Sequence, residues 1–386
     1  PRPAQPLDTG ASLITLMARQ IVAAPEDRKR RQAEEHLATN WRAVIGEARE
    51  RGVNVVLCTV ASNTRDMAPM ASWEGDGTAL DSAELLRLAD EVTNATPALV
   101  ARLTALPSQH PGHALAHYAA ARAHLAAGNE SEAARLFRKA RDLDGLPWRG
   151  TTAFNEAIRT VATREGAVLA DVEAAFDAAA EGAPGGLFFD DHVHPSLRGQ
   201  ALLAETVARA MARNSVAGFA PEAGQRLGDW EVVAQKLGAN PLELYRVFYM
   251  MARLYEQPPL QLNNERAARM FASLGAGMFE STDEQGKLLI NNWSQANIEV
   301  GESLPISFWG LSVMLRAGRL DVARLYRDGA VLNQTPFTGQ ELAARLLQLL
   351  SSGLREKWIA PNSRPCAPSW RCGTASWRSF RANLPY

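Results

Sequence analysis

The sequence predicts an α/β protein: a parallel sheet packed by helices, with an inserted helical hairpin, followed by an all-α, helical-repeat-like region. Three observations predict it. Two short, nearly continuous apolar runs, residues 53–60 and 167–172, each follow an amphipathic helix closed by a glycine. Such runs are strands buried on both faces, and helix–strand alternation with short glycine turns makes a parallel sheet. Between them lies a helix-rich stretch, and from Gly218 to about Gly353 the spacing of apolar residues is helical throughout.

Each element has its own reason. Residues 1–8 read as loop and 11–24 as apolar with helical spacing. Residues 27–51 form a long amphipathic helix with Leu37, Trp41, Val44, Ile45 and Ala48 on one face. Gly52 closes it, where helices favour glycine, and the first strand follows. Residues 113–148 carry Ala121, Gly128, Ala133, Phe137, Ala140 and Pro147 at the spacing of one tetratricopeptide-like unit. One unit predicts a hairpin packed on its own domain, because a peptide groove needs several. Residues 151–163 form a helix through Phe154, Ala157, Ile158 and Val161; Gly166 closes it and the second strand follows. Leu197, Ala201, Leu202, Ala204, Val207, Ala208 and Met211 give the last helical stripe of this part. Further on, Leu244, Val247, Phe248, Met251 and Leu254 make another. Trp309, Leu311, Leu315, Gly318, Ala323 and Ala330 make a degenerate helix-turn-helix. Stripes of this kind are core, not cofactor sites. The expected domains are 1–79 with 149–214 (α/β), 80–148 (inserted hairpin), 215–353 (helical) and 354–386 (tail).

Composition excludes several classes. The 386 residues are 46% apolar and 22% charged with a net charge of -1, so the chain as a whole has no electrostatic pull toward nucleic acid or anionic membrane. No apolar run is long enough to span a bilayer. Three cysteines make neither a disulfide framework nor a zinc set. The first residue is Pro1, and the chain is expected to lack its true start; its compartment stays open. Residues 361–386 contain no Asp or Glu but four Arg and two of the three Cys, and read as an out-of-frame or disordered tail.

The chemistry concentrates in Leu187-Phe188-Phe189-Asp190-Asp191-His192-Val193-His194-Pro195. Asp191 and His194 are three residues apart in a loop that leads into a helix starting near Ser196. At that distance a carboxylate can accept a hydrogen bond from one imidazole nitrogen and fix the tautomer, leaving the other free as a base. Asp190 stands beside Asp191, and only the spacing favours Asp191 as the partner. Asp-x-x-His also occurs in loops that do nothing. The apolar lead-in, the proline and the helix that follows favour the functional reading, as does a position after a strand of an open sheet. His192 reads as a rim residue. A metal site of His110, His113, His117, His192 and His194 lacks acidic or cysteine partners, so no metal and no cofactor are expected.

This last motif resembles that of the SGNH (GDSL-type) hydrolases. Residues 58–69, Leu146-Pro147-Trp148-Arg149 and 190–195 are similar to a bacterial subgroup that joins such a domain to tetratricopeptide-type helices, over roughly residues 10–213. The resemblance implies a flavodoxin-like, three-layer α/β/α sandwich of five strands, of which this chain carries a remnant. It implies an ester substrate, His194 as base and Asp191 as its orienting carboxylate. A Ser, a Gly and an Asn from three earlier motifs would supply nucleophile and oxyanion donors. The chain departs there. Gly10-Ala11-Ser12-Leu13 has no strand before it, and Ser12 reads as a helix cap. Ala61-Ser62-Asn63 lacks the glycine two residues before the Asn; Asn63 falls at the rim of the site, as a substrate contact or a turn former. The expectation is a fragment with an exposed apolar strand edge, poorly soluble and inactive on esters. The other reading is a helical scaffold that binds a protein partner beside a vestigial hydrolase domain.

Overall fold

A computed structural model describes residues 22–73, 80–92, 96–216, 218, 232–234, 241–256, 265–282, 284, 286–287 and 290–291. The described part is mostly helical with one small parallel sheet. Ser12, the 309–330 helix-turn-helix and the 354–386 tail lie outside the described residues. So do residues 11–21 of the first predicted helix; residues 22–24 are irregular.

Helix α1 (Arg28–Glu50) starts on Asp27, whose carboxylate accepts the Lys29 N–H. It buries Ile45, with Trp41 and Leu37 one and two turns back partly covered beside it. Val44 was predicted on that face, but it is 49% exposed because it lies a third of a turn away from the Leu37–Trp41–Ile45 line. Gly52, at φ +68°, ends the helix: its N–H bonds the Arg49 carbonyl and the Val53 N–H the Ala48 carbonyl. Helix α6 (Thr152–Glu165) ends the same way on Gly166, at φ +67°.

These two exits feed strands β1 (Val56–Cys58) and β2 (Val168–Ala170), paired in parallel with Leu57 opposite Leu169. Both are shorter than the predicted runs, for identifiable reasons. Val53 is committed to the cap of α1. At the far end, Asn155 of α6 takes both backbone groups of Val60. Asp171 leaves β2 to become the N-cap of α7 (Val172–Ala179). The expected long apolar edge is therefore three residues, and among the described residues no other strand pairs with β1.

Side chains alternate across the sheet. Leu57 and Leu169 pack with Ile45, Ile158, Val161 and Ala162 of α1 and α6. Val56, Val168 and Ala170 pack with Phe176 of α7, Phe188, Phe189, and Leu202, Val207 and Ala210 of α8 (Leu197–Arg213). The sheet thus has helices on both faces.

The crossover from β1 to α6 contains α2 (Ser82–Glu91), α3 (Pro97–Gln109), α4 (Ala114–Ala126) and α5 (Glu130–Asp142). Gly128, at φ +75°, turns α4 into α5 as the sequence predicts. Residues 114–123 of α4 are all buried; their alanines let α2, α3 and α5 close around it. Tyr118 meets Phe137 edge to face and donates its hydroxyl to the Arg65 carbonyl. Ala68 and Ala183 join the same core, so the hairpin is part of the α/β unit and not a separate domain.

The chain divides into two compact units. One is Pro1–Leu227 with Leu254–Ala267, and the other is Gly228–Arg253 with Ala268–Tyr386. The expected boundary at 214/215 moves accordingly, and Leu254–Ala267 returns to the first unit. In the second unit, Phe248 of α9 (Pro241–Tyr255) stacks on Phe271 of α10 (Glu265–Ser281), beside Gly275.

A buried ion pair ties the loop after β1 to the segment before α6. Arg149 donates to Asp144 at 3.0 Å, and both side chains are 2% exposed. Its other terminal nitrogen bonds the Asn63 and Met67 carbonyls, while Asp144 accepts the Met70, Ala71 and Leu146 N–H groups. Burial pushes the Asp144 carboxyl up; Arg149 and those N–H donors oppose it. Removing one partner strands the other in the core. Arg149→Ala is expected to cost about 3–5 kcal/mol in urea unfolding, with loss of the near-ultraviolet signal before the far-ultraviolet one. A loss below about 1 kcal/mol would show that the pair behaves as a surface bridge.

Candidate active site

The site is a loop with an apolar stem. Phe188 and Phe189 anchor one strand of the stem against Phe176 at ring separations of 5.6 and 5.2 Å. Phe189 bridges antiparallel to Pro195, and the Ser196 N–H bonds the Phe188 carbonyl at 2.9 Å. Ser196 also caps α8, accepting the Gly199 N–H and donating to the Leu187 carbonyl. Gly199 is required there, since any Cβ would strike the Phe188 carbonyl oxygen. The Asp190 N–H then bonds the His194 carbonyl at 2.9 Å and closes the loop.

Inside that closure stands the pair. His194 Nδ1 and Asp191 Oδ2 are 2.5 Å apart. The other oxygen, Oδ1, accepts the Val193 N–H at 2.8 Å and the His194 N–H at 2.7 Å. Two backbone donors and the ring therefore hold one carboxylate, and the charge-assisted bond fixes the imidazole. Asp191, not Asp190, is the partner. His194 is 78% exposed while Asp191 is 16% exposed, so the carboxylate is sheltered and the ring faces outward. With Nδ1 engaged, Nε2 is the nitrogen left for proton transfer, and among the described residues nothing bonds to it.

Two residues expected at the rim are buried. Asn63 is fully covered: its carbonyl takes Arg149, its side-chain oxygen takes the Asp66 N–H at 3.0 Å, and its N–H bonds the His192 carbonyl at 2.9 Å. It is a turn former, the second of the roles open from sequence. His192 points inward, 4% exposed, with Trp148 at 6.3 Å and Tyr255 at 5.9 Å between ring centres. The bend at residues 190–193 separates the two histidines, turning His192 in against Trp148 and Tyr255 while His194 stays out. Trp148 stood in a quoted motif, but Tyr255 carried no sequence signal as a site residue; it arrives from 63 positions away.

Two other histidines have structural roles. His113 caps α4 by accepting the Ala116 N–H, and His117 meets the Pro111 carbonyl at 2.9 Å. Among the described residues no three His, Cys, Asp or Glu side chains converge on a metal position, and no helix is long and apolar enough to cross a membrane. Nor does any described hydroxyl or thiol reach His194. Comparison with protein-family models, curated proteins and solved structures finds no match for the chain.

Burial holds the His192 imidazole down from 6.5 to about 3; Arg149 adds to this and Asp191 opposes it. The sign follows from linkage. Below 6.5 the unfolded chain takes up a proton that the folded chain refuses until about 3, so this contribution is complete above 6.5 and is lost as pH falls toward 3. Acid unfolding is expected to show that extra uptake, and His192→Asn is expected to flatten the stability profile in this window. A profile unchanged by the substitution would mean that His192 takes up its proton in the native state as readily as in the unfolded chain.

Proposed function

We propose that Asp191 and His194 form the acid–base half of an SGNH-type ester hydrolase, with the nucleophile supplied from outside the described residues. The observation that carries the reading is the carboxylate–imidazole pair, held by two backbone N–H groups with Nε2 turned outward. A parallel sheet packed on both faces, with the pair on the loop before the helix that follows, supports it. The three-layer sandwich is proposed on the same ground.

The chemistry follows from the residues present. Nε2 of His194 takes the proton of a hydroxyl as its oxygen bonds to the ester carbon, and the carbonyl becomes an oxyanion. The oxyanion collapses, the alcohol leaves with the proton from Nε2, and an acyl-enzyme remains. Water then attacks through the same base and frees the acid. Asp191 keeps the proton on Nδ1 and stabilises the imidazolium. Donors for the oxyanion, like the nucleophile, are not among the described residues near His194. The scaffold reading rests on the helical half, most of which lies outside the described residues, while α4 of the hairpin is closed in by α2, α3 and α5.

Two assays test the proposal. Residues 1–386 alone are expected to leave an activated acetyl ester unhydrolysed, and turnover abolished by His194→Ala would overturn that expectation and place the nucleophile within this chain. Extended to include a serine nucleophile, the chain is expected to hydrolyse the ester and to be labelled on that serine by a fluorophosphonate. In it, His194→Ala and Asp191→Asn each lose about 10²–10⁴-fold in kcat/KM. The Asn amide would turn an N–H toward Nδ1 and stabilise the wrong tautomer. Serine labelling that persists at full rate in His194→Ala would refute the assignment of the base.

A further inference from the structure

His192 sits between the two members of the pair in sequence and faces away from both. Its carbonyl is fixed by the Asn63 N–H at 2.9 Å, and its ring by one hydrogen bond, to the Tyr255 hydroxyl at 3.1 Å from Nδ1. Nε2 of the same ring is buried and has no partner among the described residues. Trp148 covers the ring from a second direction at 6.3 Å between centres. His192 thus holds the 190–195 loop from below, while the stem at Phe188, Phe189 and Ser196 holds its base. At the surface, the ring of 78%-exposed His194 is held by Asp191. Because His192 lies between Asp191 and His194 in the chain, a shift of its ring would twist the turn that sets the Nδ1–Oδ2 contact.

Resting on the hydrolase reading above, we infer that Tyr255 is a positioning residue for the Asp191–His194 pair: its hydroxyl fixes the His192 ring, and through that ring the separation of carboxylate and imidazole. Tyr255 is the last residue of α9 and is 1% exposed. Burial, with Asp191 adding to it, pushes its phenol above the ordinary range. The hydroxyl therefore stays protonated and available to donate, and the neutral His192 ring is able to accept. A purely packing role would need only the tyrosine ring, which phenylalanine supplies.

The test uses residues 1–386 and diethyl pyrocarbonate, which acylates unprotonated imidazole nitrogen; the modified residue is identified by mass spectrometry. His194 is exposed and is expected to react, while buried His192 is spared. Asp191→Asn is expected to slow acylation of His194 several-fold. Tyr255→Phe is expected to slow it in the same direction, with far-ultraviolet circular dichroism unchanged. The Asp191→Asn/Tyr255→Phe double variant is expected to be no slower than Asp191→Asn, since both changes act through one contact. Equal rates in Asp191→Asn and the unaltered chain would sink the hydrolase reading itself. A slowed Asp191→Asn with an unaltered Tyr255→Phe would overturn the positioning role alone. Should Tyr255→Phe fail to fold, 3-fluorotyrosine at position 255 keeps the shape and strengthens the donor. A changed His194 rate then supports the inference, and an unchanged rate overturns it.

Discussion

Everything around the candidate site hangs on one buried ion pair. Arg149 and Asp144 lie in the segment just before α6, yet nearly all their other hydrogen bonds run to the loop after β1. Taking two charges out of water is costly unless every donor and acceptor is met. Here Asp144 gains three backbone N–H groups and Arg149 two carbonyls, so the pair works as a polar rivet between segments that no strand or helix connects. A hydrophobic replacement could fill the volume but could not satisfy those backbone groups. The loop so fixed presents the Asn63 N–H to the His192 carbonyl, and Asp66 to the Gly186 N–H.

Farther out, the arrangement is hierarchical. The core of Phe176, Phe188 and Phe189 sets the stem of the loop, and the Ser196 cap joins that stem to α8. The 190–195 turn then closes on backbone hydrogen bonds alone, and only the last step uses the carboxylate. This order places an exposed, adjustable imidazole on a rigid base. It is the arrangement expected where a ring must exchange protons at the surface without losing its tautomer. A similar logic governs the end of the sheet. Thr59 donates to Asp171 while accepting the Glu173 N–H, and Arg159 binds Asp171 and Glu173 together. The strand ends are thereby locked to α6 and α7.

The sequence made local features legible and long-range ones not. Both strands were visible as apolar runs after Gly52 and Gly166, because the helix exit, the glycine and the strand are contiguous. Their true length was not, since Asn155 shortens β1 from 95 residues away and Asp171 is equally readable as strand or cap. The Asp191–His194 pair was legible because its geometry is set within one turn. Its choice over Asp190 became certain only with the backbone donors in view. Asn63 and His192 were misplaced at a rim for the opposite reason: their burial depends on Arg149, Trp148 and Tyr255, none of them a sequence neighbour. The hairpin of α4 and α5 was legible from small-residue spacing. Its enclosure by α2 and α3 was not, because those helices carry no repeat-like pattern.

The central claim is that Asp191 holds a proton on Nδ1 of His194 through a short hydrogen bond. Nuclear magnetic resonance of histidine-labelled protein at low temperature measures this directly. A far-downfield proton resonance coupled to Nδ1 of His194 is expected, present in the unaltered chain and absent in Asp191→Asn. If no such resonance appears, or if Nε2 of His194 carries the proton, the pair is a loop staple and the acid–base reading fails.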